Sequence, residues 1–466
     1  MSVPVVSGEG WRIRTGRDRV PWRWVAAMSL PWASIVYFDL ISNVAITFKL
    51  REFIRVPLLL TLVGSFNLLF NVLMGASCNY ASDRVWTRWG RRKPFLVVGW
   101  SVVAVGCLIL PSLHHFWLMV GLLFVYEMLR DLATPYESLC NEVVPSAQRG
   151  RANAAFTFAR QGMIAVFFWL VIGRWDEQYT LPGGFTLSGQ HLVFWSAAAM
   201  AIITLGLVSR VREEAPPGVW PTWRWPRGRD GFGHVRTFFH EVFGSRQWRA
   251  IYTVALAQMV FWMDLGNLAP LLYTEQWGFS KQGYGNVLAI VSAMTLAVFL
   301  PLGGWIGDRC DRFRVFQVCA GAMMLHHLVF FLVLQMMGRP PTFYEVVGFK
   351  LLETGIGTVG TISSVAMMFD YVPRHRLGTV LAGVGLSRGL ASLVVNNGVG
   401  LWVTTAAWIW PDRDDAGERK YDYALGYLYL GLFGLLAFWV ARRFARLSRA
   451  GELIKLGVED APPFKT

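Results

Sequence analysis

The stretch that decides the fold is "ASDRVWTRWGRRKPF", residues 81–95, which places five Lys or Arg residues between two apolar runs. The run before it reads "LLLTLVGSFNLLFNVLMG" (58–75), and the run after it reads "LVVGWSVVAVGCLIL" (96–110). Apolar runs of about 20 residues are long enough to cross a bilayer as helices. The basic cluster is therefore typical of a loop between two membrane spans, and its positive charge favours the cytoplasmic side.

The composition of the whole chain extends this pattern. Hydrophobic residues make up 54% of the 466 residues and charged residues 16%, whereas a water-soluble chain carries about 25% charged residues. We therefore predict an all-α polytopic protein that crosses the cell membrane many times. Its twelve predicted spans lie near residues 25–48, 56–80, 95–113, 116–141, 152–173, 190–209, 250–275, 284–306, 315–337, 343–369, 378–404 and 422–441.

The net charge of +14 follows the topology of these spans. If the N-terminus is cytoplasmic, most of the 44 Lys and Arg residues fall in the two tails and in alternate loops on one side, as cytoplasmic loops require. We therefore predict cytoplasmic termini and a lipid bilayer as partner, without nucleic acid. The loop "KLREFIR" (49–55) is an exception, because it places Lys49, Arg51 and Arg55 on the outer side.

The sequence gives no pattern of an enzyme, a metal centre or an organic cofactor. The five Cys residues lie within or beside spans without metal-type spacing, which favours small buried apolar side chains over disulfides. The pairs His114–His115 and His326–His327 lack companion ligands. Adjacent residues on a helix do not face each other, so we expect the two rings of each pair to point apart.

The two halves of the chain repeat one pattern. "YFDLISN" (37–43) in the first span returns as "WMDLGN" (262–267) in the seventh, and the two aspartates, Asp39 and Asp264, are 225 positions apart. The basic loop also returns, in the shorter form "GDRCDRFRVF" (307–316). Correspondences in one order and at nearly one spacing indicate two six-helix bundles related by internal duplication, with a site between them near the bilayer midplane.

The duplication also sets the expected domain organisation. Arg160 of the fifth span and Arg388 of the eleventh correspond at a similar spacing of 228. The predicted parts are a cytoplasmic N-terminal tail (1–24), an N-terminal six-helix bundle (25–209), a cytoplasmic central loop (210–249), a C-terminal six-helix bundle (250–441) and a cytoplasmic C-terminal tail (442–466).

The basic loop is similar to the signature of the major facilitator superfamily. In the form "SDRVWTRWGRRKPF" (82–95), followed by "NEVVPSAQRGRANA" (141–154), it most resembles the glycoside–pentoside–hexuronide:cation symporters and the related sucrose transporters. The resemblance implies alternating access by two rocking bundles, a sugar or glycoside as substrate, and coupling to H⁺ or Na⁺. Two second-span acids help bind sodium in melibiose-type members, and Asn67 and Asn71 stand at those positions, which favours protons here.

Ionisable groups inside the membrane mark the candidate site, because each costs about 3 kcal/mol to insert. In the fourth span Glu127 and Arg130, three residues apart, are expected to satisfy each other, and so are Lys350 and Glu353 in the tenth. Arg160 offers a fixed fork of donors for sugar oxygens or for a structural pair with Asp39. The predicted substrate-binding residues are Tyr37, Asp39, Asp131, Arg160, Asp264, Asn267, Arg388 and Asn396. The predicted cation-coupling residues are Asp39, Asn67, Asn71, Asp131 and Glu137.

A second set of charged residues lies at the predicted cytoplasmic ends of the helices. Opposite charges there can latch the helices together, so that opening becomes a discrete switch. Topology alone explains the basic members of the set, but it does not require the acidic ones. The predicted cytoplasmic gate comprises Asp83, Arg88, Arg91, Arg92, Glu142, Arg149, Asp308, Arg312, Asp370 and Arg376.

These patterns together predict a monomeric secondary active transporter that moves a sugar or glycoside, with proton symport favoured. An uncoupled facilitator or an exporter of another small polar metabolite would show the same fold. A receptor or assembly factor that does not transport is the third alternative, and the charged residues inside the spans speak against it.

Overall fold

Twelve helical segments follow one another in the computed structural model, which describes residues 13–14, 20–75, 78, 82, 87–145, 148–180, 184, 186–213, 243–369, 371–372, 377–413, 417 and 419–453. The segments are α1 (Trp22–Arg51), α2 (Pro57–Met74), α3 (Lys93–Ser112), α4 (Phe116–Arg130 and Tyr136–Val143), α5 (Arg149–Val166, Phe167–Val171 and Ile172–Arg174), α6 (Gly189–Ser209), α7 (Arg246–Gln276), α8 (Lys281–Arg309), α9 (Arg312–Met337), α10 (Phe343–Phe369), α11 (Leu377–Ile409) and α12 (Leu425–Arg449). The all-α prediction is confirmed.

Four short strands accompany the helices. β1 (Ile13–Arg14) runs parallel to β4 (Val211–Arg212). β2 (Gln178–Thr180) and β3 (Thr186–Ser188) form an antiparallel hairpin in the loop between α5 and α6. Each sheet has two strands, so the strands pin loops and do not form a core layer.

Ten of these segments are long and apolar enough to cross a membrane, as judged on the described residues. The two predicted spans outside this set are those of α4 and α10, which carry Glu127 and Arg130, and Lys350 and Glu353. Charged side chains lower the mean hydropathy of both helices. The same charged side chains form the clusters described below. Large apolar side chains such as Trp117, Val318 and Met336 are exposed, as expected for a lipid-facing surface.

Breaks in the helices coincide with three intramembrane aspartates. Asp39 lies two residues before a π-helical turn, Ile41–Ala45, and Asp131 begins a 3-10 turn in α4. Asp264 lies in α7 between two 3-10 turns, beside Gly266, whose φ of +55° a residue with a side chain adopts only with strain. Such departures from the regular hydrogen-bond pattern are frequent at functional sites.

The chain divides into two compact units. The first comprises Met1–Ile41, Leu73–Ile164 and Glu177–Trp225, and the second comprises Ser42–Val72, Ala165–Asp176 and Pro226–Thr466. In the first unit α3 packs on α6. The ring of Trp100 on α3 also contacts the ring of Tyr136 on α4 in the core. In the second unit α9 packs on α10 and α12. The duplication into two six-helix bundles stays a prediction.

The second unit includes the predicted outer ends of α1, α2 and α5. These ends approach the C-terminal helices closely at glycines: a Cβ on Gly285 of α8 would collide with the carbonyl oxygen of Phe168, and one on Gly400 of α11 with the Thr61 side chain. The backbone N–H of Leu58 donates to Thr404 Oγ1 at 3.0 Å. α5 is therefore tightly packed on α8, and α2 on α11.

Candidate substrate and coupling site

One guanidinium joins three carboxylates in the first unit. Arg130, at the end of the first part of α4, lies 3.5 Å from Asp39 (Nη1 to Oδ1), 3.3 Å from Glu127 (Nε to Oε2) and 3.6 Å from Asp131 (Nη2 to Oδ1). The helical spacing of Glu127 and Arg130 brings these two together, as predicted. Asp39 comes from α1, so its contact with Arg130 depends on tertiary packing. We call these four residues the first charge cluster.

The members of the first charge cluster differ in exposure. The side chains of Glu127, Arg130 and Asp131 are less than one-tenth exposed, whereas that of Asp39 is 51% exposed. Asp131 Oδ2 has no hydrogen-bond partner among the residues that the structure describes. The cluster thus holds one half-exposed carboxylate, backed by buried charges that fix the position of Arg130.

Tyr37 and Arg160, two predicted substrate residues, have other partners. The Tyr37 side chain is buried, and its hydroxyl is hydrogen bonded to Ser196 of α6. Arg160 is exposed, with its guanidinium carbon 5.4 Å from the centroid of the Trp32 ring, a distance typical of cation–π contact. Asp39 forms an ion pair with Arg130, which is also the predicted partner of Glu127.

A second group of charges lies in the second unit. Lys350 Nζ of α10 lies 2.6 Å from Asp264 Oδ2 of α7 and donates to Glu353 Oε2 at 2.9 Å. The hydroxyl of Tyr427 on α12 donates to Asp264 Oδ1 at 3.5 Å. Lys350 and Glu353 are buried, whereas the Asp264 side chain is 31% exposed. The expected Lys350–Glu353 pair therefore forms, and it extends to the aspartate of the seventh span.

Two histidines complete this group. His326 Nε2 and His327 Nε2 of α9 each lie 3.8 Å from one oxygen of Glu353, and both rings are buried. The sequence alone named no partner for these two rings. Glu353 reaches the two rings from α10, and its two oxygens allow one contact to each. We call Asp264, His326, His327, Lys350 and Glu353 the second charge cluster.

The two clusters share a pattern that sequence analysis missed. Asp39 and Asp264 are 225 positions apart, and Glu127 and Glu353 are 226 apart. The base stands three residues after the glutamate in α4 and three residues before it in α10. Because both spacings bring base and acid to one helix face, either order allows an ion pair. A search for charged residues at the repeat spacing would have detected the glutamates.

The predicted amide residues of the C-terminal half form a separate contact. The backbone N–H of Asn267 donates to Asn396 Oδ1 at 3.1 Å, and both side chains are buried. Each side-chain Nδ2 lacks a hydrogen-bond partner among the described residues. Gly64 of α2 packs against the Asn267 amide, and a Cβ there would collide with it. These amides therefore lie at a close approach between α2 and α7.

Arg388 contacts a different part of α7. Its Nη2 donates to Gln258 Oε1, in the 3-10 turn Gln258–Phe261. Asp264 instead meets Lys350, as described above. The C-terminal counterparts of Asp39 and Arg160 are thus held by two different polar partners.

The predicted coupling residues in α2 and the second part of α4 are dispersed. Asn67 is buried, donates from Nδ2 to Asn43 Oδ1 at 3.0 Å, and accepts from the Leu68 N–H through Oδ1. Asn71 and Glu137 are exposed. Among the five predicted coupling residues, Asp39 and Asp131 are the pair that share a partner, Arg130.

At the predicted cytoplasmic side, Glu213 organises the basic loop. Its carboxylate accepts the backbone N–H groups of Arg91, Arg92 and Lys93 at 3.0, 3.1 and 2.8 Å. Gly90 has a φ of +113°, and a Cβ there would lie 2.8 Å from the Glu213 carboxyl group, so glycine fits best. Sequence analysis did not select Glu213, although a carboxylate suits the positive N-terminus of a helix such as α3.

The predicted gate is described in part. Arg312 Nε donates to the Gly307 carbonyl at 3.4 Å, Asp308 is exposed, and Arg88 lies exposed over the Trp89 ring. Asp83, Asp370 and Arg376 lie outside the described residues, as do the side chains of Glu142 and Arg149. The charged latch therefore stays a prediction.

A family model identifies the fold. The model of the Major Facilitator Superfamily matches residues 41–394 and, in a second match, 253–465. The chain belongs to the Major Facilitator Superfamily. Membership of this superfamily, with the apolar helices described above, makes the chain a multi-pass membrane transporter of a small molecule. The narrower glycoside and sucrose group stays a prediction.

Solved structures of the superfamily share this fold. A POT family transporter in complex with 5-aminolevulinic acid matches with a TM-score of 0.68 and 9% identity, over 94% of this chain and 98% of that chain. A D-xylose-proton symporter matches with a TM-score of 0.62 and 13% identity, over 90% and 96%. The nucleoside transporter NupG, as a single-residue mutant, matches with 0.57 and 14% over 90% and 99%. No curated protein sequence matches the chain. At these identities the likeness shows the fold alone.

Proposed function

We propose that this superfamily member is a proton-coupled symporter that moves a sugar or glycoside across the cell membrane by alternating access. The observation that carries the proposal is the half-exposed Asp39 carboxylate held by the buried Arg130. Charged groups inside a membrane are expensive and mark substrate and ion pathways. A carboxylate that stays reachable at such a position can accept hydrogen bonds from solute hydroxyls or take up a cation.

Protons fit the first charge cluster better than sodium does. Three carboxylates share one guanidinium, so the cluster gains from a bound positive charge. A sodium site in α2 would use Asn67, but its amide is already bonded to Asn43 and to the Leu68 N–H. The second charge cluster places two imidazoles beside Glu353, each 3.8 Å from one of its oxygens.

Competition for Asp39 gives a physical basis for coupling. A sugar hydroxyl or a proton at Asp39 weakens its attraction to Arg130, and Arg130 can then rely on Glu127 and Asp131. This exchange changes which helices are tied together, because Asp39 is on α1 and the other three residues are on α4. A ligand shifts a conformational equilibrium by as much as it prefers one state over the other.

Hydrogen bonds at the predicted outer ends of α1 and α7 would have to break for outward opening. Arg51 at the end of α1 makes two bonds to Glu275 at the end of α7, Nε to Oε1 at 2.6 Å and Nη2 to Oε2 at 2.8 Å. Tyr423 donates to Glu275 at 3.0 Å. These bonds explain the basic outer loop, since Glu275 neutralises Arg51 and Glu52 neutralises Lys49. We propose that they break when the transporter opens outward.

The test is uptake by the purified protein in liposomes. A panel of labelled mono- and disaccharides is offered with an imposed pH gradient, with an imposed sodium gradient, and with neither. The proposal expects accumulation of a sugar that depends on the pH gradient and is lost in Asp39→Asn. Glu177→Gln, which removes an exposed acid in the loop after α5, serves as the matched control and should transport normally.

The alternatives give different results in the same assay. Equal uptake with and without a gradient would show an uncoupled facilitator. Accumulation driven by sodium alone would overturn the choice of proton. Failure to move any sugar while another polar metabolite is moved would overturn the substrate class, and absence of all transport would favour a receptor or assembly factor.

A further inference from the structure

A cavity of about 280 Å³ lies between the first turns of α7 and the last turns of α12, and no residue of either charge cluster lines it. Three arginines line it: Arg246 and Arg249 from α7 and Arg443 from α12. Its apolar lining includes Val440 and Phe444, which belong to the buried core of the second unit. The cavity therefore combines a basic rim with an apolar floor.

The arginines of α7 stand at an electrostatically unfavourable place. Both Arg246 and Arg249 lie at the start of the helix Arg246–Ala257, and no acidic residue lies in its first turn. The N-terminus of a helix carries partial positive charge, so cations there are destabilising and an anion is favoured. In the described part of the chain, Glu452 forms an ion pair with Arg246 at 2.7 Å, and this pair is exposed.

The position of Arg443 is set by an aromatic neighbour. Its guanidinium carbon lies 5.6 Å from the centroid of the Trp439 ring, and Trp439 is half exposed. Tryptophans are enriched at membrane–water interfaces, and both ends that meet here are predicted to be cytoplasmic. The rim of the cavity is thus at the expected level of lipid headgroups on the inner leaflet.

We propose that this cavity binds the phosphate headgroup of an anionic phospholipid. Guanidinium groups bind phosphate oxygens in paired hydrogen bonds, and basic pockets between membrane helices on the cytoplasmic side bind anionic headgroups. The lipid phosphate neutralises Arg249 and Arg443, and the glycerol end of the lipid lies on Val440 and Phe444. A bound lipid therefore ties the start of α7 to α12. The apolar floor favours a lipid over free phosphate as the source of the anion.

The test compares lipid binding by the full-length protein and by two double variants. After exchange into neutral detergent, the protein is titrated with phosphatidylglycerol or phosphatidylcholine, and retained lipid is counted by native mass spectrometry alongside the thermal unfolding midpoint. Arg249→Gln with Arg443→Gln should weaken phosphatidylglycerol binding about 30-fold, since each basic residue near anionic lipid contributes about fivefold. Arg413→Gln with Arg419→Gln removes the same charge from the loop between α11 and α12 and should leave binding unchanged.

Further arms separate the possible outcomes. Arg249→Lys with Arg443→Lys keeps the charge and should restore part of the affinity, which distinguishes lost binding from lost folding. Equal binding of phosphatidylglycerol by the glutamine variant and the parent protein would overturn the site. Equal stabilisation by inorganic phosphate alone would overturn the lipid as ligand and leave an anion site. Uptake assays are not needed for any of these outcomes, so the result stands apart from the proposed transport function.

Discussion

The two charge clusters pair the same kinds of residue in different ways. Each joins an aspartate of the first helix of its half to a base and a glutamate of the fourth. In the first cluster three carboxylates share Arg130, and Asp39 is half exposed. In the second, Lys350 bridges two carboxylates, one of which also meets two buried histidines. The predicted duplication therefore implies that the two halves kept these acids while the surroundings of the acids diverged.

This difference suggests a division of work between the clusters. Asp39 is open enough to contact a solute, and its partner is fixed by two further acids. Glu353 is buried among Lys350, His326 and His327, so its charge is balanced inside the protein. We infer that the first cluster contacts substrate and that the second mainly balances buried charges within the protein.

Arg130→Ala should have the largest effect. It leaves Glu127 and Asp131 buried beside each other without their shared base, and losing one partner of a buried ion pair costs about 3–5 kcal/mol. We expect a large drop in the thermal unfolding midpoint of the purified protein, with loss of transport. Adding Glu127→Gln and Asp131→Asn should recover most of the stability but not the transport. An unchanged midpoint in Arg130→Ala would contradict the cluster.

Lys350→Ala should destabilise less than Arg130→Ala. It removes the ammonium beside Glu353, but the buried rings of His326 and His327 still lie 3.8 Å from the two Glu353 oxygens and keep a polar neighbour beside each. The measurement is the thermal unfolding midpoint of each purified variant.

The control for this prediction is the variant that also carries His326→Gln and His327→Gln. In that background the loss of stability should approach that of Arg130→Ala. If Lys350→Ala loses as much stability with the histidines as without them, the two rings do not support Glu353.

Asp39→Asn should reduce transport while leaving stability nearly unchanged, because its side chain is half exposed. A hydrogen bond to a charged group is worth about 1.5–3 kcal/mol, which predicts a roughly tenfold to hundredfold weaker apparent affinity for the sugar. The measurement is concentration-dependent uptake together with the unfolding midpoint. Asp264→Asn is the repeat-related control and should alter apparent affinity less. Equal losses of affinity in both variants would remove the proposed division of work.

Arg160→Ala tests whether Arg160 also contacts the substrate. A substrate role for Arg160 stays a prediction, and its guanidinium lies over the Trp32 ring. Loss of accumulation in Arg160→Ala with normal membrane insertion would support a substrate role, and full uptake would remove Arg160 from the site.

The sequence was informative where local spacing determines contacts. Glu127 with Arg130, and Lys350 with Glu353, follow from a three-residue spacing on one helix, and both pairs are present. The partner of Asp39 could not be derived in this way. It depends on how α1 and α4 are rotated against each other, which brings Arg130 to within 3.5 Å of Asp39.

The contacts of the two histidines also could not be derived from local helix geometry. On an isolated helix, the rings of His326 and His327 point in different directions, and the local argument stops there. A side chain from a neighbouring helix can still reach both, as Glu353 does. Helix order and membrane class follow from hydropathy, because burial in lipid constrains every turn of every helix. Contacts between helices depend on packing that one sequence does not encode locally.

Glu213→Gln should have the smallest effect, because it keeps the shape of the side chain and removes only its charge. Three backbone N–H groups then face a neutral acceptor at the start of α3, which should cost about 1 kcal/mol. Hydrogen exchange of residues 87–93 should become faster, while exchange in α9 and α12 stays as before. Gly90→Ala is the matched disruption, since it strains a φ of +113° and crowds the Glu213 carboxylate. If neither variant speeds exchange in the basic loop, Glu213 does not hold that loop in solution. The Lys and Arg residues of the loop would then fix its position without Glu213.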